Sequence, residues 1–384
     1  MAELHIWIKA TREKGFGTLH LTRAIALAQA AEFEKIDHTT ILTDPAGAEL
    51  IASHLPKRAT LTTWSEPLSP QQEVARLIET IKPQIPKRVD ARSPRPLLYL
   101  IGNHYETGYQ KMLWKAGIEV VVICDEGVDT WSDWFVIGKP YGSDLGVQSG
   151  NGYTRILRGA NYAPLRLETT RKVGKHPGHP TVATRLSVAT ENLDTVKVLP
   201  LLAKAISRVV PPEHATDWKP VLTILPGPDC ADDDTLKNLA NGSGMKVVVS
   251  KERFNHTASL MQCDVLFAPD GTVMQEALAL GTVRVAIPRA GVQADPMFEH
   301  LLAREAALGM PTTGDDEAVE KFVLTLQRVL FDPSYRRGQH RIGQYLCDGL
   351  GAVRVIRQTA KKQYAVPQNI VRYFEKADPM VAAL

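Results

Sequence analysis

Four short stretches of this sequence bring together side chains that can move protons, hold anions or grip a sugar. In the first, Gly15 and Gly17 precede His20 and an alanine-rich run. Glycines permit a tight strand-to-helix turn, and the exposed amides at the start of the following helix can face an anion. Turns of this kind are common, so the spacing alone is equally served by a plain connection. His20 adds chemistry, because an imidazole there is a candidate general base near neutral pH; its blander roles are helix capping or a solvent-facing ring. The second stretch, Asn103-His104-Tyr105, follows directly on an apolar run at 97–101. Its side chains would stand at a strand end, although a histidine and an aromatic in a loop more often pack and hydrogen-bond than catalyse.

The third stretch holds the carboxylates Asp125, Glu126, Asp129 and Asp133. No histidine or known ligand spacing accompanies them, so capping and solvation outweigh cation binding, and neither a metal nor another cofactor is expected. In the fourth, an apolar run enters Pro269-Asp270-Gly271-Thr272 and then a helix carrying Glu276. The turn amides and the Thr272 hydroxyl can hold a diphosphate at the positive end of the helix dipole. Glu276, one helical turn on, can accept hydrogen bonds from a ribose diol, or it is simply an exposed helix carboxylate. Gln293, in the loop after the next strand, offers an amide to a base or sugar.

These stretches must be held by regular elements, and short apolar runs alternate with helical patterns through both halves of the chain. That alternation makes parallel sheets covered on both faces. In the first half, strands are expected at 4–9, 39–43, 97–101 and 120–124, with helices at 21–32 and 108–116. Residues 56–96 read as a proline-interrupted insertion, and 131–162 as a glycine- and aromatic-rich segment. The run TRKVGKHPGHPT has the composition of a hinge. In the second half, strands are expected at 185–190, 221–225, 246–249, 265–268 and 283–288, with helices at 193–206, 235–241 and 274–280. The expected class is α/β, with two Rossmann-like domains facing a central cleft: residues 1–170, a linker at 171–184, residues 185–345, and a helical tail at 346–384. Open α/β sheets bind ligands beyond the carboxyl ends of their strands, which makes the cleft the place to look.

A chain of 384 residues with 44% hydrophobic and 23% charged residues has room for two cores, which disfavours disorder and fibrous repeats. Lys plus Arg number 45 against 42 Asp plus Glu, and the resulting +3 is too small for a continuous basic surface, so nucleic acid is not an expected partner. The cysteines Cys124, Cys230, Cys263 and Cys347 are scattered, without a Cys-x-x-Cys pair, and read as buried or incidental thiols of a reducing compartment. No stretch approaches the ~20 apolar residues of a membrane span, and the opening MAELHIWIKATREKG lacks the form of a signal peptide, so a cytoplasmic location is expected.

Several motifs fall in a recognisable order. Gly17-Thr18-Leu19-His20-Leu21-Thr22-Arg23 leads into AIALAQA; Asn103-His104-Tyr105 is followed by Lys115-Ala116-Gly117 and VVVICDEG. Then come Gly159-Ala160-Asn161-Tyr162-Ala163-Pro164-Leu165-Arg166, Asp270-Gly271-Thr272 through Glu276, Val292-Gln293, and Asp348-Gly349-Leu350-Gly351-Ala352 with Arg354-Val355. Across about residues 4–357 the chain resembles the PseG/SpsG-type nucleotide-sugar hydrolases, relatives of the UDP-sugar-using GT-B glycosyltransferases. It departs from that pattern where Leu19 replaces a glycine, Asn103 an acid, and Asp270 a glycine, and where Ala189-Thr190-Glu191-Asn192 stands for a Gly-Gly-x-Asp phosphate loop. A carboxylate such as Glu191 repels a diphosphate unless it is turned away or paired.

The resemblance implies cleavage of the anomeric C–O bond of a UDP-sugar, giving UDP and free sugar in the making of a nonulosonic-acid-like surface sugar, without a metal. It implies His20 as the base for the attacking water and Tyr105 as an orienting group. Gly17, Arg23, Asn103, His104, Tyr162 and Arg166 would bind substrate, and Gly271, Thr272, Glu276 and Gln293 the nucleotide. A GT-B glycosyltransferase with a glycan or protein acceptor is the alternative, for which the 56–96 insertion and Trp131 and Trp134 offer acceptor contacts. A degenerate nucleotide-sugar-binding protein is a third, suggested by the altered phosphate turns.

Overall fold

In the computed structural model of the protein, residues 4–12, 18–64, 68–84, 95–142, 145–241, 245–289 and 295–361 are described. They form two compact units, the first mainly Leu19–Leu167 with the chain from Leu350 onward, the second Glu168–Gly349.

The first unit runs β1 (His5–Ala10), α1 (Leu19–Phe33), β2 (His38–Thr43), α2 (Pro45–Ile51), β3 (Ala59–Thr63), α3 (Pro70–Ile81), β4 (Leu97–Ile101), α4 (Thr107–Lys115), β5 (Glu119–Ile123), β6 (Trp134–Ile137), β7 (Arg155–Arg158) and α5 (Leu167–Thr170), the last straddling the boundary. Its strands pair in the order β3-β2-β1-β4-β5-β6-β7, parallel throughout. Central parallel strands are covered on both faces, and β1 is apolar accordingly: Ile6 and Ile8 alternate with Trp7, all buried. Lys9 is buried in the same strand because its ammonium pairs with Glu73 at 2.8 Å and lies 4.9 Å over the Trp64 ring.

The structure differs from the sequence expectation in two places. Residues 56–96 are not an insertion but another strand-helix pair, β3 and α3. The edge strand β3 is threonine-rich and only partly buried, so it carries little apolar signal. Prolines bound α3 rather than interrupt it: Pro70 occupies its first turn, with Ser69 and Gln72 closing a reciprocal capping box. Likewise 131–162 contains β6 and β7, and Trp134 is a strand residue, 2 % exposed, whose Nε1 donates to Glu119 at 3.1 Å. Trp134 is therefore packing, not a sugar platform.

The second unit runs β8 (Arg185–Ala189), α6 (Thr195–Ser207), β9 (Val221–Leu225), α7 (Asp233–Leu239), β10 (Lys246–Val249), α8 (Thr257–Gln262), β11 (Val265–Ala268), α9 (Thr272–Leu280), β12 (Arg284–Ala286), α10 (Pro296–Ala303), β13 (Leu308–Gly309), α11 (Asp316–Phe331) and α12 (Pro333–Leu346). Its strand order is β10-β9-β8-β11-β12-β13, again parallel. Leu186, Val188, Leu222, Ile224, Val265 and Phe267 on its strands pack with Leu202 and Ile206 of α6 and Leu326 and Leu330 of α11. Two fully buried arginines fix α12. Arg284 of β12 donates to the Ala306 and Ala277 carbonyls at 2.9 and 3.3 Å, and Arg336 donates to the Val329 and Leu330 carbonyls at 2.7 and 2.8 Å.

The tail then returns to the first unit as α13 (Gly351–Thr359), which packs on α1. Alanines at 24, 26, 28, 30 and 31 let α1 be buried on nearly all sides. Arg357 pairs with Glu34 at 2.7 Å, and Tyr99 Oη meets Thr359 Oγ1 at 2.6 Å beneath the helix. At Gly351 an added Cβ would overlap the Ala163 backbone, whereas at Gly108 it would meet nothing within 4 Å. Gly351→Ala is therefore expected to lower stability by about 1–3 kcal/mol in urea unfolding. Gly108→Ala in α4 should be neutral or gain about 0.5–1 kcal/mol; equal effects of the two would contradict the close docking of α13.

Candidate functional site

In the first sheet the chain order reverses between β1 and β4, the position at which open α/β sheets bind ligands beyond their strand ends. Four adjacent strands deliver polar side chains there. His20 and Arg23 come from the first turn of α1, His104 from the loop after β4, Asp125 from just beyond β5, and Lys139 from just beyond β6. Arg23 Nη2 donates to Asp125 Oδ1 at 2.7 Å, and Lys139 Nζ lies 3.8 Å from Asp125 Oδ2. Burial alone would raise the Asp125 pKa, but Arg23 and Lys139 outweigh it and hold the carboxyl well below its ordinary range.

His20, only 1 % exposed, sits in the field of the same charges. Burial, then Arg23, pushes its pKa down to about 3, with His104 and Lys139 acting in the same direction and Asp125 opposing. The ring is neutral at physiological pH. The loop after β4, which carries His104, is positioned tightly. Gly102 has φ 150, and a Cβ there would stand 2.9 Å from the His104 ring. Asn103 Oδ1 accepts from the Asp125 amide and from Cys124 Sγ, each at 3.1 Å, while its Nδ2 donates to Glu126 at 3.1 Å. Asn103 thus joins the β4 and β5 loops.

Several residues expected at the site take other places. Tyr105 is buried with Val74, Leu77 and Leu113 in the core beneath α3 and α4, its ring 5.2 Å from Tyr109 and 4.1 Å from His104. His104, which is exposed, rather than Tyr105, shares the field of His20. Arg23 is spent on Asp125, with Nε and Nη1 buried, so it braces the site instead of facing solvent. Arg166 is 1 % exposed, and Tyr162 Oη accepts from Gln358 of α13 at 3.3 Å. Among the acids of the third stretch, Asp133 accepts from the Val120 amide at 2.9 Å and pairs with Arg95. Gly17 lies outside the described residues. Lys139 escaped sequence reasoning because 131–162 looked irregular; its signal is the apolar run of β6 immediately before Gly138-Lys139.

In the second sheet the order reverses between β8 and β11, and α9 starts directly after β11. No side chain caps its N-terminus. Gly271 stands at the cap with open space where a Cβ would be. Thr272 Oγ1 is covered from solvent and has no hydrogen-bond partner, and neither has Gln275 Nε2. Glu276 is 0 % exposed, so it is not the solvated helix carboxylate that its sequence context allowed. Gln293 lies outside the described residues. A cavity of about 250 Å³ opens beyond β8 and β9, lined by Thr190, Glu191, Asn192, Gly227, Asp229 and Cys230 among others. Two carboxylates at its wall make it a poor place for a diphosphate.

Histidines form a further cluster in this unit. His176, His179 and His340 bring nitrogen atoms within 4.8 Å of one another. Burial and then the neighbouring imidazoles hold His176 down to about 4 and His179 to about 3.

No known family profile matches the sequence, and no curated protein does. Solved structures do match across nearly the whole chain. MurG of Acinetobacter baumannii superposes with a TM-score of 0.60 at 11% identity, covering 93% of this chain and 99% of its own. The UDP-GlcNAc 2-epimerase of Neisseria meningitidis bound to UDP-GlcNAc gives 0.57 at 10% identity, covering 94% and 100%. CalG4, the calicheamicin glycosyltransferase, gives 0.57 at 12% identity, covering 94% and 98%. Two parallel-sheet Rossmann-like units of this kind make up the GT-B fold, and at these identities the likeness is one of fold.

A neutral His20 has a measurable signature. Its imidazole resonance is expected to stay fixed between pH 5 and 8, and movement with a midpoint near 6.5 would contradict its burial. Because the folded pKa of about 3 lies below the unfolded value of 6.5, the unfolded chain holds the extra proton between them. His20 therefore adds to the loss of stability as pH falls through that window and adds no slope above it. His20→Gln should flatten the stability profile below pH 6.5 and leave it unchanged at pH 8, as read by thermal unfolding.

Proposed function

We propose that the protein is an enzyme of nucleotide-sugars that hydrolyses a UDP-sugar at its anomeric carbon, with His20 accepting the proton of the attacking water. The observation that carries the reading is the convergence of His20, His104, Asp125 and Lys139 at one set of strand ends, with the imidazole held neutral. A neutral imidazole is the form that accepts a proton. A pKa of about 3 leaves it neutral and able to accept a proton, as a weak base. The water oxygen bonds to the anomeric carbon, the bond to the diphosphate oxygen breaks with its electron pair, and the proton passes to His20.

In this proposal the nucleotide is held by the second unit, with its diphosphate at the uncapped start of α9. The first-turn amides there have no side-chain partner, and a rotation of Thr272 would offer its hydroxyl. Glu276, four residues on along α9, keeps the ribose role read from the sequence. Gly17, Arg166, Tyr162 and Gln293 keep the roles that the resemblance to the hydrolases implies. The proposed setting is cytoplasmic assembly of a surface sugar.

The solved structures of like fold include glycosyltransferases and an epimerase, so an acceptor hydroxyl in place of water is the competing chemistry. Of the features that suggested an acceptor platform in the sequence, the described parts of 56–96 and Trp134 are ordinary parts of the fold, while Trp131 is half-buried with Lys111 Nζ 4.2 Å from its ring centroid.

A panel of UDP-sugars assayed for UDP release, with and without acceptor glycans, separates these outcomes. Release without acceptor is expected, falling about 10²–10⁴-fold in kcat for His20→Ala. Thr272→Val is expected to raise KM about tenfold with kcat nearly unchanged. Release only with acceptor would replace hydrolysis by transfer, and nucleotide binding without turnover would leave a binding protein.

A further inference from the structure

The histidine cluster of the second unit belongs to none of the machinery above. His176 and His179 sit in a His-Pro-Gly-His run on the segment leading into β8, and His340 comes from the third turn of α12, far away in sequence. We propose that His176, His179 and His340 form a binding site for a divalent transition metal of the zinc class, clipping the segment before β8 to α12.

The geometry carries this. His179 Nε2 and His340 Nδ1 are 3.2 Å apart. Two nitrogens bound to one tetrahedral zinc at ~2.0–2.1 Å stand about 3.3 Å apart, so this pair already spans one edge of such a site. The third imidazole is near enough to close it by a side-chain adjustment, since all three ligand atoms fall within 4.8 Å. The rings converge instead of stacking: His340 meets His176 at 80° and His179 at 83°, with centroids 5.4 and 5.2 Å away. His176 Nε2, the atom this ring offers to the metal, is buried without a hydrogen-bond partner.

The surroundings hold the ligands in place. Gly281, the left-handed cap of α9 at φ 75, lies so close under His340 that a Cβ would come within 2.5 Å of the ring. Arg336, one turn before His340, donates to the Thr181 carbonyl at 3.1 Å and also to Pro180, fixing the other end of the same segment. Its positive charge opposes a cation nearby, while Asp264 acts in the opposite sense on His176 and His179. Gly178 N donates to His176 Nδ1 at 3.2 Å, orienting that ring and leaving Nε2 as its ligand atom. Imidazole-only ligation with one position left to water suits zinc, cobalt or nickel and not the oxygen-seeking calcium or magnesium.

The test uses the full chain without a histidine tag, stripped with chelator. Titration with Zn2+ by calorimetry is expected to show one saturable equivalent, and Co2+ to give a visible absorption band of a low-coordinate nitrogen site. At a hundredfold excess over Kd, Zn2+ should raise the unfolding midpoint by about 5 °C. His176→Gln, on the surface segment, and His340→Ala should each lower affinity at least tenfold while circular dichroism stays native. Should His340→Ala fail to fold, His176→Gln and His179→Gln carry the same comparison. Absence of saturable binding, or binding that these substitutions leave unchanged, overturns the proposal.

Discussion

A buried ion pair organises the first unit's polar end. Arg23 and Asp125 are both almost fully covered, one at the start of α1 and the other at the end of β5, and Lys139 adds a second cation from the end of β6. Charges taken out of water are tolerated only when paired, and removing one partner of such a pair typically costs about 3–5 kcal/mol. The pair therefore fixes where α1 begins relative to the strand ends, and that start carries His20. The same charges set the imidazole's state: two nearby cations and burial oppose protonation more strongly than one carboxylate supports it. One interaction thus supplies both the placement and the charge state of the proposed base.

The second unit offers an uncapped helix start, and magnitudes decide how much that contributes. A helix terminus stabilises an anion by about 0.3–1 kcal/mol, up to ~2 when partly buried. Micromolar affinity needs about 8 kcal/mol, so α9 can orient a diphosphate but most of the affinity must come from the base, the ribose and the sugar. Like α4, α8 and α13, α9 has no side-chain cap, whereas six helices are closed by aspartate at their N-caps, at Asp44, Asp194, Asp232, Asp295, Asp315 and Asp332. Such caps satisfy the first-turn amides internally. At α9 the cap position is Gly271, where an added Cβ would meet nothing within 4 Å.

Much of the fold was legible because buried parallel strands are continuous apolar runs. Leu97–Ile101, Val221–Leu225, Lys246–Val249 and Val265–Ala268 were read from the sequence with their observed bounds. Among the elements that escaped were β3, an edge strand built of threonines, with the α3 that follows it, and β6 and β7, short strands set among glycines and aromatics. The candidate site residues follow the same logic: His20 and His104 were placed at strand ends because they follow strong strands, whereas Lys139 follows a strand that was missed. That Tyr105 enters the core and Arg23 turns to Asp125 was not legible, because a sequence gives the loop a residue belongs to but not which side of the sheet its side chain enters. The histidine cluster needed His340, whose proximity to His176 arises only when α12 packs against α9.

Crystals grown with UDP test the central claim most directly. The expected result is density for the diphosphate on the first-turn amides of α9, beside Gly271 and Thr272. Density in the cavity beyond β8 and β9, against Glu191 and Asp229, or a protein that binds no uridine nucleotide under saturating conditions, would contradict it.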